Sequence, residues 1–400
     1  MSGSAAFADW IAEARDVPIE AALQRRGVTL RGHGAERTGP CPVCGGRDRF
    51  GINLRKGVFH CRGSGAGGGV IDLTRYLEAC DFKVACEILT GRPPPGRVAE
   101  SDVDRATREA ALAKRAAARA KVTAAAEDEQ ARFRERERRA CWEAWSGAVP
   151  VPGTPAEAYL ALRGLVLPPG AALKCALDHP LYASGKHRAA EVHRGPALLA
   201  AIVGPSGRFA GVHATWIDLS QPGGKVMIAD GDGVLVPAKK VRGSATGGHI
   251  PLVPCAEPDD LVVGEGSETT LSVWRALAAA EWPQLPKAAF WSAYSLGNIA
   301  GPARETVKHP TLRTRDAAGR ERTPRVSGPV PDLSRPGLPI PPSVRRIWLL
   351  GDGDSDRFTT ETALERGARR FRAGRPELDV RVAWAPTGED FNDVLRRAAA

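Results

Sequence analysis

Two apolar runs that end in acidic residues constrain this chain most. Leu261-Val262-Val263 runs into Gly264-Glu265-Gly266, and Ile347-Trp348-Leu349-Leu350 runs through Gly351 into Asp352-Gly353-Asp354-Ser355-Asp356. Each apolar run reads as a short buried strand. Around them strands are expected at 261–265, 288–294, 345–351 and 379–385, and helices at 268–280, 357–373 and 389–398. That alternation predicts a parallel sheet with helices on both faces. In such open α/β sheets, ligand sites form beyond the carboxyl ends of the strands, where both acidic clusters fall. Glu265, Asp352, Asp354 and Asp356 are hard oxygen donors, suited to Mg²⁺ or Mn²⁺ rather than to a soft transition metal.

The chain is 400 residues long, so two or three domains are expected. Its formal net charge of +10 favours a polyanionic partner. No apolar run approaches the roughly 18 residues of a membrane span. Met1 to Ala6 lacks a basic region followed by an apolar one, so no secretory signal is expected. Eight cysteines in so long a chain do not make a disulfide scaffold; they point to a cytoplasmic protein with some metal-ligating thiols.

Along the chain, 7–28 and 71–89 read as helices, closed at Pro93-Pro94-Pro95. Residues 101–140 carry almost no large apolar side chains and read as a solvated helical connector, with a nucleic-acid contact through its arginines as the sharper alternative. Strands are expected at 198–203, 211–219 and 225–229. A Pro- and Arg-rich insertion at 301–342 reads as a surface loop or as disordered. The divisions expected are 1–95, 100–145, 146–257 and 258–400.

Cys41-Pro42-Val43-Cys44-Gly45-Gly46 has the spacing of one metal knuckle, with both thiolates turned to one tetrahedral ion. A second half is expected roughly 15–20 residues later. Cys61 falls there, but the next position of that half is Ser64, a poor zinc ligand. His60 is the nearest substitute, although adjacent strand residues point to opposite faces. His33, Cys80 and Cys86 are further candidates, the last two reading as buried structural cysteines on a helix. The alternative to a zinc site is a ribbon that kept its fold and lost its metal.

Other residues have two readings each. Lys239, Lys240 and Arg242 are either a phosphate-binding segment for nucleotide or template, or a solvated face. Glu268 reads as an early helix residue favoured by the helix dipole. Asp390 and Asp393 either cap the last helix or lie near the metal. Asp230-Gly231-Asp232-Gly233 also follows an apolar run but reads as a hairpin turn.

Taken in order, these motifs carry a resemblance. Cys41 to Phe50, with Val58-Phe59-His60-Cys61 and Gly67 to Leu73, resembles the N-terminal zinc ribbon of DnaG-type and of phage and plasmid primases. Gly264 to Leu271 with Leu350 to Asp356 resembles the Toprim domain shared by bacterial primases, type IA and type II topoisomerases and some nucleases. Glu389-Asp390-Phe391-Asn392-Asp393-Val394-Leu395 is similar to a closing motif of mobile-element primases, and Ala238 to Gly243 to the basic segment before their Toprim domain.

The resemblance implies an α/β multidomain protein: a small zinc-ribbon domain, the connector, a mixed α+β primase-core subdomain and a Rossmann-like Toprim sheet. It implies a DNA-directed primase that makes short RNA primers on single-stranded DNA from nucleoside triphosphates, with Glu265, Asp352 and Asp354 catalytic, Asp356 a further magnesium ligand and Zn²⁺ in the ribbon. No phosphate-binding loop of the GxxxxGK[ST] form occurs, which points to a separate replicative helicase. A Toprim nuclease keeps the same acidic set, and a non-catalytic DNA-binding regulator of a mobile element is the third reading. Tyr76, Tyr159, Tyr182 and Tyr294 are the four tyrosines, none in a recognisable cleavage domain, which argues against a topoisomerase.

Overall fold

The computed structural model describes residues 3–28, 30, 35–95, 131–184, 189–230, 233–315, 321–335 and 337–399, with scattered positions between 110 and 128. It forms two compact units, Met1–Arg132 with Lys308–Arg325, and Phe133–Val307 with Val326–Ala400. The stretches expected separately at 146–257 and 258–400 fall in the second unit, except Lys308–Arg325, which falls in the first. Most of the 101–130 connector, and His33, lie outside the described residues.

In the first unit the helix expected at 7–28 is two, α1 (Gly3–Asp16) and α2 (Ile19–Gln24). Pro18 separates them, since it has no N–H to donate and drives Val17 out of helical backbone. An antiparallel sheet follows in the order β1 (Glu36–Cys41), β2 (Gly45–Asn53), β3 (Val58–Cys61), β4 (Gly67–Gly68). The helix expected at 71–89 is also cut in two, α3 (Val70–Glu78) and α4 (Phe82–Thr90). Ala79 ends α3 in the left-handed region, at φ 51°, and the Asp81 side chain starts α4 by accepting from Val84 N. Side chains of the sheet and of all four helices share one core, including Trp10, Leu23, Phe50, Phe59, Leu73 and Leu89.

The second unit opens with helical residues 133–147 (α5) and α6 (Pro155–Leu162). Strands β5 (Leu173–Ser184), β6 (Ala189–Val203), β7 (Phe209–Trp216) and β8 (Lys239–Gly243) make an antiparallel sheet in the order β8-β7-β6-β5. The strand expected at 225–229 shrinks to Ile228–Ala229, paired with Leu235–Val236, while Lys225 makes only an isolated bridge to Ile217. Between those short strands Asp230 and Gly233 sit at a tight turn, closed by Asp230 N donating to Val234 O.

The remaining elements alternate as the sequence predicts: β9 (Ile250–Val253), β10 (Asp260–Gly264), α7 (Ser267–Ala279), β11 (Ala288–Ser292), α8 (Leu296–Ala300), β12 (Arg346–Gly351), α9 (Arg357–Gly374), β13 (Asp379–Trp384) and α10 (Phe391–Ala399). Their sheet runs β9-β11-β10-β12-β13, with β10 to β13 parallel and β9 antiparallel at the edge. The pleat divides its side chains between two cores. Leu261, Val263, Ile347 and Leu349 pack with Leu364, Ala368 and Phe371 of α9. Val262, Phe290 and Leu350 pack with Val273 and Leu277 of α7 and Phe391 of α10. Each fully buried aliphatic side chain contributes about 1.5–3 kcal/mol, so burial on both faces fixes the register of the strands that carry the acidic clusters.

The insertion at 301–342 is more ordered than expected. It contains two-stranded ribbons, Thr306–Lys308 with Arg325–Ser327 and Thr314–Arg315 with Glu321–Arg322. Two arginines of α9 hold its stems: buried Arg366 donates to the carbonyls of Gly301, Ser327 and Gly328, and Arg370 to those of Ala300, Pro302 and Asp332.

Candidate active site and candidate metal centre

In the second unit a cleft of ≈ 230 Å³ opens where the carboxyl ends of β10 and β12 meet β7, β8 and the loop before α10. Its lining brings together the carboxylates of Glu265, Glu268, Asp352 and Asp390 and the cations Arg163, Lys225 and Lys239. Thr269 of α7 donates to Asp352 Oδ2 at 3.2 Å. Asp352 is pushed up to about 6, chiefly by burial and then by the charges of Asp390, Asp354 and Glu265. Burial also raises Glu265, with Asp354 adding to it, while the Leu296 N–H and Lys239 pull the other way. Glu265, Asp352 and Asp354 thus lie within electrostatic reach of one another. Among the described residues, only the cysteine cluster described below brings three or more metal-ligating atoms within 4.8 Å of one another, so the acidic set is more widely spaced than that.

The loop carrying the aspartates is held by its backbone. Gly353 N donates to Glu389 O and Gly388 N to Gly353 O, both at 2.9 Å. A Cβ at Gly353 would sit 2.0 Å from the carbonyl oxygen of Pro386, so only glycine allows this approach.

The expected residues separate into different roles. Asp354 is exposed beside the cleft. Asp356, expected as a metal ligand, caps α9 instead, its Oδ1 accepting from Thr359 N at 2.8 Å. Asp390 sits at the start of α10, its Oδ1 accepting from Asp393 N at 2.7 Å, and it also lines the cleft. Of the three basic residues, only Lys239 reaches the cleft. Lys240 donates to Tyr182 O, and Arg242 pairs with Glu137 at 3.0 Å on the surface.

The sequence did not mark Tyr159, Arg163 or Lys225, and it did not show the roles of Glu268 and Asn392. Glu268, one turn into α7, is buried and accepts from Tyr159 Oη at 2.6 Å, from Lys239 Nζ at 2.8 Å and lies 3.2 Å from Lys225 Nζ. Although burial alone would raise it, the two ammonium groups hold it well below the usual carboxylate range. Helix-dipole stabilisation is therefore a minor part of its role. Arg163 Nη1 donates to Asn392 Oδ1 at 3.3 Å. Buried Asn392, from the closing motif, donates in turn to Arg163 O and Ser272 Oγ, tying α6, α7 and α10 together. The contacts between α6, α7, α10 and the lysines join segments far apart in sequence, which is why no local pattern announced them.

In the first unit Cys41, Cys44 and Cys61 come together, with Cys44 Sγ and Cys61 Sγ 3.4 Å apart and Cys44 N donating to Cys41 Sγ. Burial pushes the Cys44 thiol up to about 11. Burial acts on Cys61 too, but hydrogen bonds from Ser64 and Cys44 hold it down to about 6. Three thiols in a knuckle and a partner strand are a donor set that can bind zinc. His60 is not part of it: on β3, Phe59 and Cys61 face inward while Val58 and His60 face out. His60 lines a separate surface cleft with Arg49, Lys56, Phe59 and Arg62. Cys86 is buried in the helical core, as expected, and Cys80 packs against it.

Residues 135–252 match the family model described as a domain of unknown function, DUF7146. No curated protein matches the chain. Among solved structures, the zinc-binding and RNA polymerase domains of the Aquifex aeolicus primase align at 14% identity and TM-score 0.34, covering 97% of this chain and 82% of that one. A DnaG catalytic core aligns at 13% identity and TM-score 0.31, covering 66% and 75%. A DNA primase domain from Pseudomonas aeruginosa aligns at 13% identity and TM-score 0.33, covering 64% and 73%. At such identities and scores the likeness assigns no activity. Among the described residues no helix is long and apolar enough to cross a membrane.

Proposed function

We propose that the cleft of the second unit joins nucleotides on a single-stranded DNA template, as a Toprim-type primase with Mg²⁺ or Mn²⁺. The observation that carries this reading is one cleft lined by both a set of carboxylates and a set of cations. The Asp352 carboxyl is pushed up to about 6 chiefly by burial and then by the charges of Asp390, Asp354 and Glu265, a cost to the anion that a bound divalent cation would relieve. Glu265, Asp352 and Asp354 are the residues that would hold it, with Asp390 nearby. Bound there, the ion lowers the pKa of an attacking hydroxyl and neutralises charge on a leaving pyrophosphate.

Lys239 and Lys225 supply the opposing charge to a triphosphate, and Glu268 positions both. Two ammonium groups sharing one carboxylate keep a net positive charge, so the Lys225–Glu268–Lys239 group attracts phosphate while its side chains stay fixed. Arg163, tied to Asn392, adds a third cation. We further propose that the first unit binds template through its basic face around Arg49, Lys56 and Arg62, with zinc stabilising the fold, and that duplex opening falls to a separate helicase.

The test is primer synthesis on single-stranded DNA with labelled nucleoside triphosphates and Mg²⁺. Oligonucleotide products that disappear in Asp352→Asn and Asp354→Asn support the reading. Template shortening in place of products identifies a nuclease. DNA binding with neither outcome identifies a non-catalytic regulator.

A further inference from the structure

The sequence leaves the cysteine cluster one ligand short, with serine where a fourth cysteine is expected and His60 turned away from it. A side chain from a different element fills that side. Tyr76, on α3, brings its hydroxyl oxygen to 3.2 Å from Cys41 Sγ. The same oxygen lies 2.9 Å from Ser64 Oγ, at the position vacated by the missing cysteine. The ring is fixed from behind by stacking on Phe59, with centroids 5.6 Å apart at 28°. Phe59 lies two residues before Cys61 on β3 and faces the same way, so the stack and the cluster are anchored to one strand.

From this arrangement we propose that Tyr76 supplies the fourth donor of a three-thiolate, one-oxygen zinc centre, with Ser64 orienting the phenol. A tetrahedral zinc ion requires four donors, and structural sites leave no open position. Cys41, Cys44 and Cys61 provide three. Among the described residues two further polar side-chain atoms touch the cluster, the Tyr76 oxygen at Cys41 and the Ser64 hydroxyl at Cys61; Ser64 is exposed and its alcohol is a far weaker acid than a phenol, so the Tyr76 oxygen is the better fourth donor. On binding, those of the three thiols and the phenol that still carry protons release them to solvent, which leaves four anionic donors around a divalent ion and a net negative charge on the centre. This makes α3 part of the metal site, which links the ribbon to the helical half of the unit through the ion itself. The inference is independent of the polymerase reading of the other unit.

The experiment uses the full chain, purified without oxygen. Zinc per chain is measured by mass spectrometry, zinc affinity by competition with a chromophoric chelator, and coordination by the visible spectrum of the Co²⁺-substituted protein. One zinc per wild-type chain is expected. Tyr76→Phe, which removes only the oxygen and keeps the ring stack, should weaken zinc binding roughly 10- to 100-fold and change the Co²⁺ ligand-field bands. His60→Gln should do neither. Adding zinc to the apo wild type should bring up tyrosinate ultraviolet absorption that Tyr76→Phe lacks. Wild-type affinity with an unchanged Co²⁺ spectrum in Tyr76→Phe overturns the proposal, as does a wild-type chain that takes up no zinc. Should Tyr76→Phe be poorly folded, the tyrosinate signal in the wild type decides alone: its absence on zinc uptake overturns the assignment.

Discussion

Glu268 shows how much one side chain can organise. It is the common partner of Tyr159, Lys225 and Lys239, and no water-exposed group can replace it. Glu268→Gln leaves two ammonium groups beside a neutral amide in a buried setting. Removing one member of a buried ion pair costs about 3–5 kcal/mol, and a midpoint shift of that size is expected in urea unfolding. Tyr159→Phe removes one hydrogen bond and leaves the ion pairs, so its cost should be about 1–3 kcal/mol. A Glu268→Gln variant as stable as wild type would mean that the lysines find other partners. The sequence marked Glu265 because an apolar run pointed at it; Glu268 had no such marker, since its partners lie in α6, β8 and the segment before the short hairpin.

Among the elements, strands were more legible than helix ends. The two-faced burial of β10 and β12 is written into their uninterrupted apolar runs, and their positions match to within a residue or two. The break between α3 and α4 was invisible because it falls at Ala79, a residue with no turn preference, in a backbone state that glycine or asparagine would have flagged. Lys225 escaped notice because its segment reads as strand but makes only one bridge. The closing motif was visible as a string of letters, yet its central asparagine works as a staple between three helices' ends. Asn392→Leu fills similar volume but leaves the Arg163 carbonyl and the Ser272 hydroxyl without their donor. A loss of about 1–3 kcal/mol is expected for each orphaned group, read by chemical denaturation, with the far-ultraviolet spectrum of the folded state unchanged.

For the whole molecule, pH acts on several buried groups, and one of them, Asp352, also answers to metal. Burial drives His213 and His249 each down to about 4, and His249 also stacks on Trp291 with centroids 3.5 Å apart. A histidine with a depressed native pKa binds its proton more readily when unfolded. Its contribution is therefore complete above about 6.5 and is lost as pH falls through about 4. Thermal melts of the second unit should drop across that window, and His213→Gln should flatten the drop. Asp352 has the opposite sign: raised to about 6, it favours the fold below its ordinary value of 3.8 and withdraws that support as pH rises through 6. Mg²⁺ at neutral pH should restore it, raising the melting temperature in a concentration-dependent way. The same addition to Asp352→Asn should leave the melting temperature nearly unmoved. An equal Mg²⁺ shift in both proteins would place the ion elsewhere.

The two backbone hydrogen bonds that clasp Gly353 to Glu389 and Gly388 have a practical corollary. Because main-chain atoms fix this hairpin-like clasp, the side chains at 352 and 354 contribute little to its shape. They are, in effect, exchangeable fittings on a rigid bracket. Histidine or cysteine grafted at those two positions should therefore inherit the present spacing, offering a route to recruit softer ions without rebuilding the scaffold.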